Sequence, residues 1–445
     1  MTADLTKDSP MKLIVQFAIP FLIGNLFQQF YSFADTLIVG KFLGSNAIAE
    51  IGATASIMHF SIGSIAGLMA GFSAITGQKY GGGDIAGIRK SFGISITLTT
   101  LFTAVMMLFC LGFINPILGF LNTPSDILQG AHDYIFWIFV GLFASSMFNL
   151  LSAMMRALGN SLVPIVFLVI ACVVNIILDI LFIAVFDSGV AGAGIATFIA
   201  QFISAVLCYI YIFKKIPELK VSVKDLVPER TMTVDLLKIG IPMFILNAVI
   251  CGGDIISNSV NNGLGTLYVA SLTASGKIIN FIFLPISSFG TALGVYVAQN
   301  YGAGEYKRII KGSNQCMVLC NLWTLAGVIV MFFFGKPLLE FVAGGESERL
   351  IESGYYYLLV NTAACVLLSP ITVYKYTLNS TGRTLVSMLS GFVEVIFRGG
   401  TALLLVKHIS FWGIILVNPI TWIAVLIPVA IDYFLFVNHL KKVQN

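Results

Sequence analysis

Leu162-Val-Pro-Ile-Val-Phe-Leu-Val-Ile-Ala-Cys-Val-Val-Asn175-Ile-Ile-Leu-Asp179-Ile-Leu-Phe-Ile-Ala-Val-Phe186 is the stretch on which the fold turns. It exceeds the roughly 20 apolar residues that carry a helix across a hydrocarbon core about 30 Å thick. It holds a single charge, Asp179. Outward from it the chain has the same character. Of 445 residues, 58% are hydrophobic and 10% charged, where a soluble domain carries about 25% charged residues. That density cannot cover a water-exposed surface. It excludes a disordered chain, a disulfide scaffold, a nucleic-acid-binding module and a soluble enzyme. A net charge of +4 is too small to argue for nucleic acid. The seven cysteines lie in apolar runs without a CxxC pair and read as small buried hydrophobes. The polar segment Met1–Lys12 carries no cleavable signal, so the first helix is its own insertion signal.

Apolar runs between charged or Gly/Pro breaks predict an all-α integral membrane protein of twelve spans. They lie near 13–40, 50–78, 91–115, 134–156, 162–186, 190–213, 238–262, 268–298, 312–335, 353–380, 384–406 and 411–437. Their continuity argues against a barrel, whose strands alternate. Lys and Arg set the orientation. With both termini cytoplasmic, only Lys41, Lys336, Arg349 and Lys407 fall outside, and Lys277, Lys375 and Arg398 fall within spans. All others of the 25 basic residues lie inside. One miscounted helix would destroy that asymmetry, so the count and the orientation support each other.

The chain repeats. Gln78-Lys79-Tyr80-Gly81-Gly82-Gly83-Asp84 returns as Gln299-Asn300-Tyr301-Gly302-Ala303-Gly304-Glu305. Asn115-Pro116 returns as Lys336-Pro337, Ile19-Pro20 as Ile241-Pro242, and Leu158-Gly159 as Thr381-Gly382, at nearly one offset. The sequence thus predicts two pseudo-symmetric six-helix lobes related as parallel repeats. The first is 1–213, the second 238–445, and a polar cytoplasmic linker spans 214–237. Such an architecture is that of a transporter with alternating access.

Ionisable groups inside a membrane cost roughly 2.5–3.5 kcal/mol each on insertion scales and mark function. The first half carries Asp35 in the first span and Asp179 in the fifth. Asn175 shares a helix face with Asp179, and no basic residue lies in those spans. A second reading leaves Asp35 merely solvated at the rim, since Lys41 follows closely. Two carboxylates with an amide oxygen suit a proton or a small hard cation such as sodium, with Asp35, Asn175 and Asp179 as ligands. The first span also bears Pro20, Gln28 and Gln29. The proline permits a bend, and the amides must face protein or water. Gly189-Val-Ala-Gly-Ala193-Gly194 opens the sixth span as a packing surface, with Thr197 one turn on. The second half carries Asp254, Lys277, Glu394 and Arg398. The last two stand at i, i+4 and either pair with each other or meet substrate. Lys375 is expected to snorkel to the inner helix end.

These residues carry a resemblance over the whole chain. Ile19-Pro20, Phe33-Ala34-Asp35-Thr36-Leu-Ile-Val-Gly40, Arg156-Ala157-Leu158-Gly159-Asn160-Ser161 and Asn175-Ile-Ile-Leu-Asp179 together resemble the MATE family, the multidrug and toxic compound extrusion transporters. The resemblance implies an antiporter, not an enzyme, that exports organic cations against inward protons or sodium. It implies a cation cluster of Asp35, Asn175, Asp179 and Thr197 with the Ala193 backbone oxygen. Tyr31 and Tyr134 then lie near the cluster, and Pro20 is the bending point. Asp254 resembles an acid that some members carry in span seven, whereas Ser369-Pro370 stands where some carry an acid in span ten. Gln28, Gln29, Asp254, Lys277, Glu394 and Arg398 are candidates for the substrate cavity. The expected partners are small organic cations and membrane lipid, without nucleic acid or cofactor, for a monomer in the plasma membrane. The alternatives are a lipid-linked oligosaccharide flippase, which needs a basic cavity, and an exporter of one metabolite.

Overall fold

The computed structural model describes residues 4–262, 265–343 and 348–444, and among them no strand forms. The helices in order are α1 Pro10–Leu43, α2 Ser45–Gly81, α3 Ile85–Gly112, α4 Ile114–Phe120, α5 Leu128–Val140, α6 Leu142–Ala157, α7 Leu162–Asp179, α8 Gly189–Lys215 and α9 Val223–Leu226. Then follow α10 Arg230–Asn262, α11 Thr266–Gly302, α12 Tyr306–Ala343, α13 Glu348–Ser380, α14 Leu385–Ile409 and α15 Phe411–Gln444. Among the described residues eleven helices are long and apolar enough to cross a membrane, and twelve if the pair α5 and α6, bent by 44°, is one span. The chain is therefore a multi-pass membrane protein.

The span expected near 134–156 is this bent pair. The break is at Gly141, where an added Cβ would lie 3.2 Å from the Phe198 Cβ, so the glycine lets the junction press closely against α8. The fifth span also differs from a uniform α-helix. After Asp179 it continues as a π-helical turn, Ile180–Val185, closed by the Phe186 N–H on the Leu181 carbonyl at 3.0 Å.

The duplication is written in the backbone. Gly83 ends α2 with φ of 71° and Gly304 ends α11 with φ of 74°. This left-handed position, which a Cβ disfavours, closes the helix and turns the chain toward the next span. Gly44 pairs with Gly265, Gly159 with Gly382, and Gly189 with Ser410, all at positive φ.

The chain packs as two units whose boundaries are not at the polar linker. One unit holds Pro20–Phe244, the other Leu5–Ile19 and Ile245 onward. The boundaries fall inside α1 at Pro20 and inside α10 just past Pro242. The expected linker 214–237 instead belongs wholly to the first unit. Its hydrogen bonds explain why: the Thr97 hydroxyl donates to the Leu226 carbonyl at 2.7 Å, and Arg89 donates to the Pro217 carbonyl at 3.2 Å. Lys90 pairs with Glu229 at 3.7 Å. In the second unit the segment before α1 is held likewise. The Leu5 N–H donates to the Gln299 side chain at 3.0 Å, and Arg308 donates to the Asp8 carbonyl at 2.8 Å. The first unit's core is Leu68, Phe72, Ile88, Met154 and Met155, with a second cluster of Val39, Ile135, Phe139, Ile183 and Ala193. The second unit's includes Ala402, Ile414 and Val417.

Candidate functional site

The second core cluster of the first unit encloses polar side chains from α1, α5, α7 and α8. Asp179 and Asn175 are fully buried and Asp35 is 9% exposed. The Asp35 and Asp179 carboxyls lie beside each other, close enough to interact directly. This displaces the reading of Asp35 as a solvated rim residue: α1 runs on past it to Leu43 and turns its carboxyl inward. Asn175 is one turn before Asp179. With both ends of its amide satisfied, Nδ2 donates to Asp179 Oδ2 at 2.9 Å and Oδ1 accepts the Thr197 N–H at 3.2 Å. The hydroxyls of Tyr31 and Thr197 are hydrogen-bonded at 3.0 Å. Tyr134, 4% exposed, completes the wall beside both acids. Ala193 is buried one turn before Thr197 on α8.

Small residues bring α8 this close. A Cβ on Gly194 would lie 2.9 Å from both the Tyr134 carbonyl oxygen and the Trp137 Cβ, and one on Gly192 would lie 3.0 Å from the Phe182 Cβ. The glycines therefore set the depth at which Ala193 and Thr197 sit.

Among the described residues no lysine, arginine or histidine pairs with either acid. One oxygen of each, Oδ1 of Asp35 and Oδ1 of Asp179, is buried without a hydrogen-bond partner. Buried polar atoms are almost always satisfied, and two facing carboxylates repel. A proton or a small cation between them relieves both problems, so the donor set fits such an ion. A cavity of about 10 Å³ lies alongside, lined by Gln28, Tyr31, Cys172 and Gln201 among others. It is the size of one water. Gln28 lines this cavity and, like Gln29, is exposed. Pro20 is buried at the unit boundary of α1.

The remaining candidates belong to the second unit. Arg398 donates to Glu394 at 2.8 Å, which answers the i, i+4 question in favour of pairing. Lys375 does not snorkel. It lies more than a turn inside α13, which runs on to Ser380, and its Nζ is 3.9 Å from Glu394, with 13% of the side chain exposed. Lys277 is exposed on α11. Asp254 is in α10, and its side chain lies outside the described residues. Sequence reasoning missed the π turn after Asp179. Its residues, Ile180–Val185, have no turn or proline signal, and π turns occur often at functional sites.

The MatE family model matches residues 20–181 and 242–400, one stretch in each repeat. The chain belongs to the MatE family. Members of that family are transporters, not enzymes. The chain is 28% identical over 343 residues to the probable multidrug resistance protein YpnP of Bacillus subtilis, covering 76% of this chain and 75% of that one. It is 23% identical over 399 residues to the multidrug export protein MepA of Staphylococcus aureus, covering 87% and 86%. Among solved structures it is similar to the outward-facing conformation of a multidrug resistance MATE family transporter of the MOP superfamily. That match has a TM-score of 0.90, 21% identity and 99% coverage of both chains. It is also similar to a MATE structure in the bent conformation, with a TM-score of 0.89, 21% identity, and 99% and 98% coverage. The family's two matched stretches end near Asp179 and Arg398, so each contains its repeat's central polar group.

Proposed function

We propose that this chain is a multidrug efflux antiporter that exports organic cations in exchange for an inward proton or sodium ion. The observation that carries the reading is the Asp35–Asp179 contact: two buried carboxyls face each other with an unsatisfied oxygen on each and no base beside them. An ion entering between them neutralises the pair and lets α1 and α7 close together. Its release leaves two repelling charges and drives them apart. Pro20 lacks the N–H of a regular turn, so α1 can bend there as the pair loads and unloads. Asn175, Thr197 and Tyr31 hold the carboxyl of Asp179 and the α8 wall in place through the whole cycle. At about 2.3 kcal/mol per charge per 100 mV, one entering ion supports roughly a fifty-fold gradient of an uncharged substrate per 100 mV, whereas exchange of one monovalent organic cation for one ion moves no net charge and is driven by the ion's concentration gradient alone. The names of YpnP and MepA support drugs as the cargo. The inner-loop excess of Lys and Arg supports a plasma-membrane protein with both termini cytoplasmic, working as a monomer without a cofactor.

The test is ethidium efflux from proteoliposomes under separately imposed sodium and proton gradients. The gradient that drives the wild type names the ion. Efflux that ignores both gradients contradicts the antiport.

A further inference from the structure

The stretch that joins the repeats has two apolar faces. Ile216 and Leu219 are buried in the core of the first unit. Val223 and Val227, four residues apart across the single turn of α9, point the other way and are 80% and 58% exposed. A single exposed valine is ordinary, but the depth of this pair is not. The segment lies flat on α3. Arg89 donates to the Pro217 carbonyl, Lys90 to the Lys224 carbonyl at 3.4 Å, and Thr97 to the Leu226 carbonyl. Between them a Cβ on Gly93 would collide with the Asp225 carbonyl. The apolar run of α3 begins just past Lys90, and from Lys90 to Thr97 the helix advances about 10 Å. The segment therefore reaches from the charged end of α3 into its crossing part. Amphipathic elements that lie between headgroups and acyl chains sit at this depth, roughly 5–10 Å.

The rim of the same face is basic. α8 is long and apolar enough to cross the membrane and ends on Lys214 and Lys215. Lys220 follows, its Nζ 5.5 Å above the ring of Phe213 in the last turn of α8. Lys214, Lys215, Lys220 and Lys224 are all exposed, and among the described residues none of them pairs with a carboxylate. The acids of the segment are placed elsewhere. Glu229 faces Lys90 at 3.7 Å, and Asp225 accepts the N–H and the hydroxyl of Ser222 at 2.7 and 2.8 Å. Only Glu218 remains against the four lysines. Phe202, Val206, Tyr209 and Phe213 are exposed at steps of three and four, an apolar stripe along α8 that leads to the lysines.

We infer that this end of the first unit binds an anionic phospholipid. The phosphate lies among Lys214, Lys215 and Lys220, the acyl chains lie along Phe213 and the stripe beneath it, and Val223 and Val227 enter the boundary between headgroup and chain. Ammonium groups hold phosphate through charge-assisted hydrogen bonds. Each lysine near an anionic bilayer surface adds about fivefold to affinity. A free anion would satisfy the lysines and leave the valines and the stripe uncovered, whereas a lipid covers both. The site goes beyond the efflux reading and depends on neither the coupling ion nor the cargo.

The test is fluorescence quenching of the purified full-length protein in phosphatidylcholine bilayers. Val223→Trp places a tryptophan at the exposed position, and subtraction of the wild-type signal removes the native tryptophans. Phosphatidylglycerol or phosphatidylcholine with brominated chains is then added at equal mole fraction, and bromine quenches only a neighbouring tryptophan. Phosphatidylglycerol is expected to be preferred by at least about tenfold. Lys214→Gln with Lys215→Gln and Lys220→Gln should bring that ratio to about one, whereas Lys311→Gln, at an exposed lysine of the second unit, should leave it unchanged. The three lysines are exposed, so their loss leaves the core intact. Equal quenching by the two lipids overturns the inference, as does a preference that survives the triple substitution. A tryptophan that aqueous iodide quenches and neither lipid does also overturns it, because the segment then faces water. Inorganic phosphate should not reverse the quenching, and reversal at millimolar concentration would show a free-anion site in place of a lipid site.

Discussion

Among the described residues, the two acids of the first unit are unlike the acids Glu394 and Asp432. Glu394 has two cations beside it, and Asp432 has Arg383. Asp35 and Asp179 have each other. A residue kept for stability would have been satisfied, so the pair is costly to the fold. Asp35→Asn and Asp179→Asn are therefore expected to leave thermal stability unchanged or to raise it by up to about 1 kcal/mol, because an amide removes the facing charge and can donate to the remaining carboxylate. Thermal unfolding in detergent measures this, and a loss of several kcal/mol would show the pair to be structural. Asn175→Ala is expected to act in the other direction. It strips both the donor to Asp179 and the acceptor of the Thr197 N–H, and should cost about 1–3 kcal/mol. At this scale the sequence was informative, since an acid without a base in an apolar span can be read directly. What it hid was orientation. Whether Asp35 lay at the rim or faced Asp179 depended on how far α1 continued, and Lys41 five or so residues later was misleading because α1 extends to Leu43.

At the scale of the element, helix approach is set by glycine. A Cβ on Gly71 would stand 2.7 Å from the Gly240 Cα, so α2 and the first part of α10 meet backbone to backbone. Gly71→Ala should lower stability by about 1–3 kcal/mol, because neither backbone can yield. Gly52, in the same helix, has nothing within 4 Å of the added Cβ, and Gly52→Ala should be neutral or stabilise by up to about 1 kcal/mol. Similar effects at both positions would contradict this packing. Helix ends give a pH prediction. Asp84 caps α3 by accepting the Gly87 N–H at 2.8 Å. That bond first, and Lys79 at 3.2 Å second, hold its carboxyl below the usual carboxylate range. A depressed folded pKa means that the cap is complete above about pH 4 and is lost as pH falls through the lower folded value. Hydrogen exchange at the first turn of α3 should quicken only below that range, and Asp84→Ala should quicken it at neutral pH as well. The spans themselves were legible because hydropathy is averaged over many residues. The 44° bend at Gly141 and the π turn after Asp179 were not, because neither interrupts the run of apolar residues on which the spans were read.

At the scale of the whole molecule, the repeat was readable from four short matches, and the left-handed turns show it again in the backbone. The unit boundaries were not readable. A polar stretch at mid-chain looks like a linker, yet its carbonyls are bound by Thr97 and Arg89 and it packs with the first unit. The segment before α1 is its counterpart, clamped by Gln299, Asn300 and Arg308 in the second unit. Arg308→Ala should release that clamp and quicken exchange at Leu5 by about tenfold or more. An unchanged rate would show that Gln299 and Asn300 suffice. The two repeats share one framework and differ in their polar groups, an acid pair in the first and a Glu394–Arg398 ion pair in the second. The central claim is that the coupling ion loads between Asp35 and Asp179. The most direct measurement is ion movement driven by ethidium export in voltage-clamped proteoliposomes, followed with proton and sodium electrodes. Wild type should move one kind of ion inward as dye leaves, and Asp35→Asn and Asp179→Asn should each move none. A variant that still carries the ion at the wild-type rate would contradict the account and place the coupling site elsewhere in the chain.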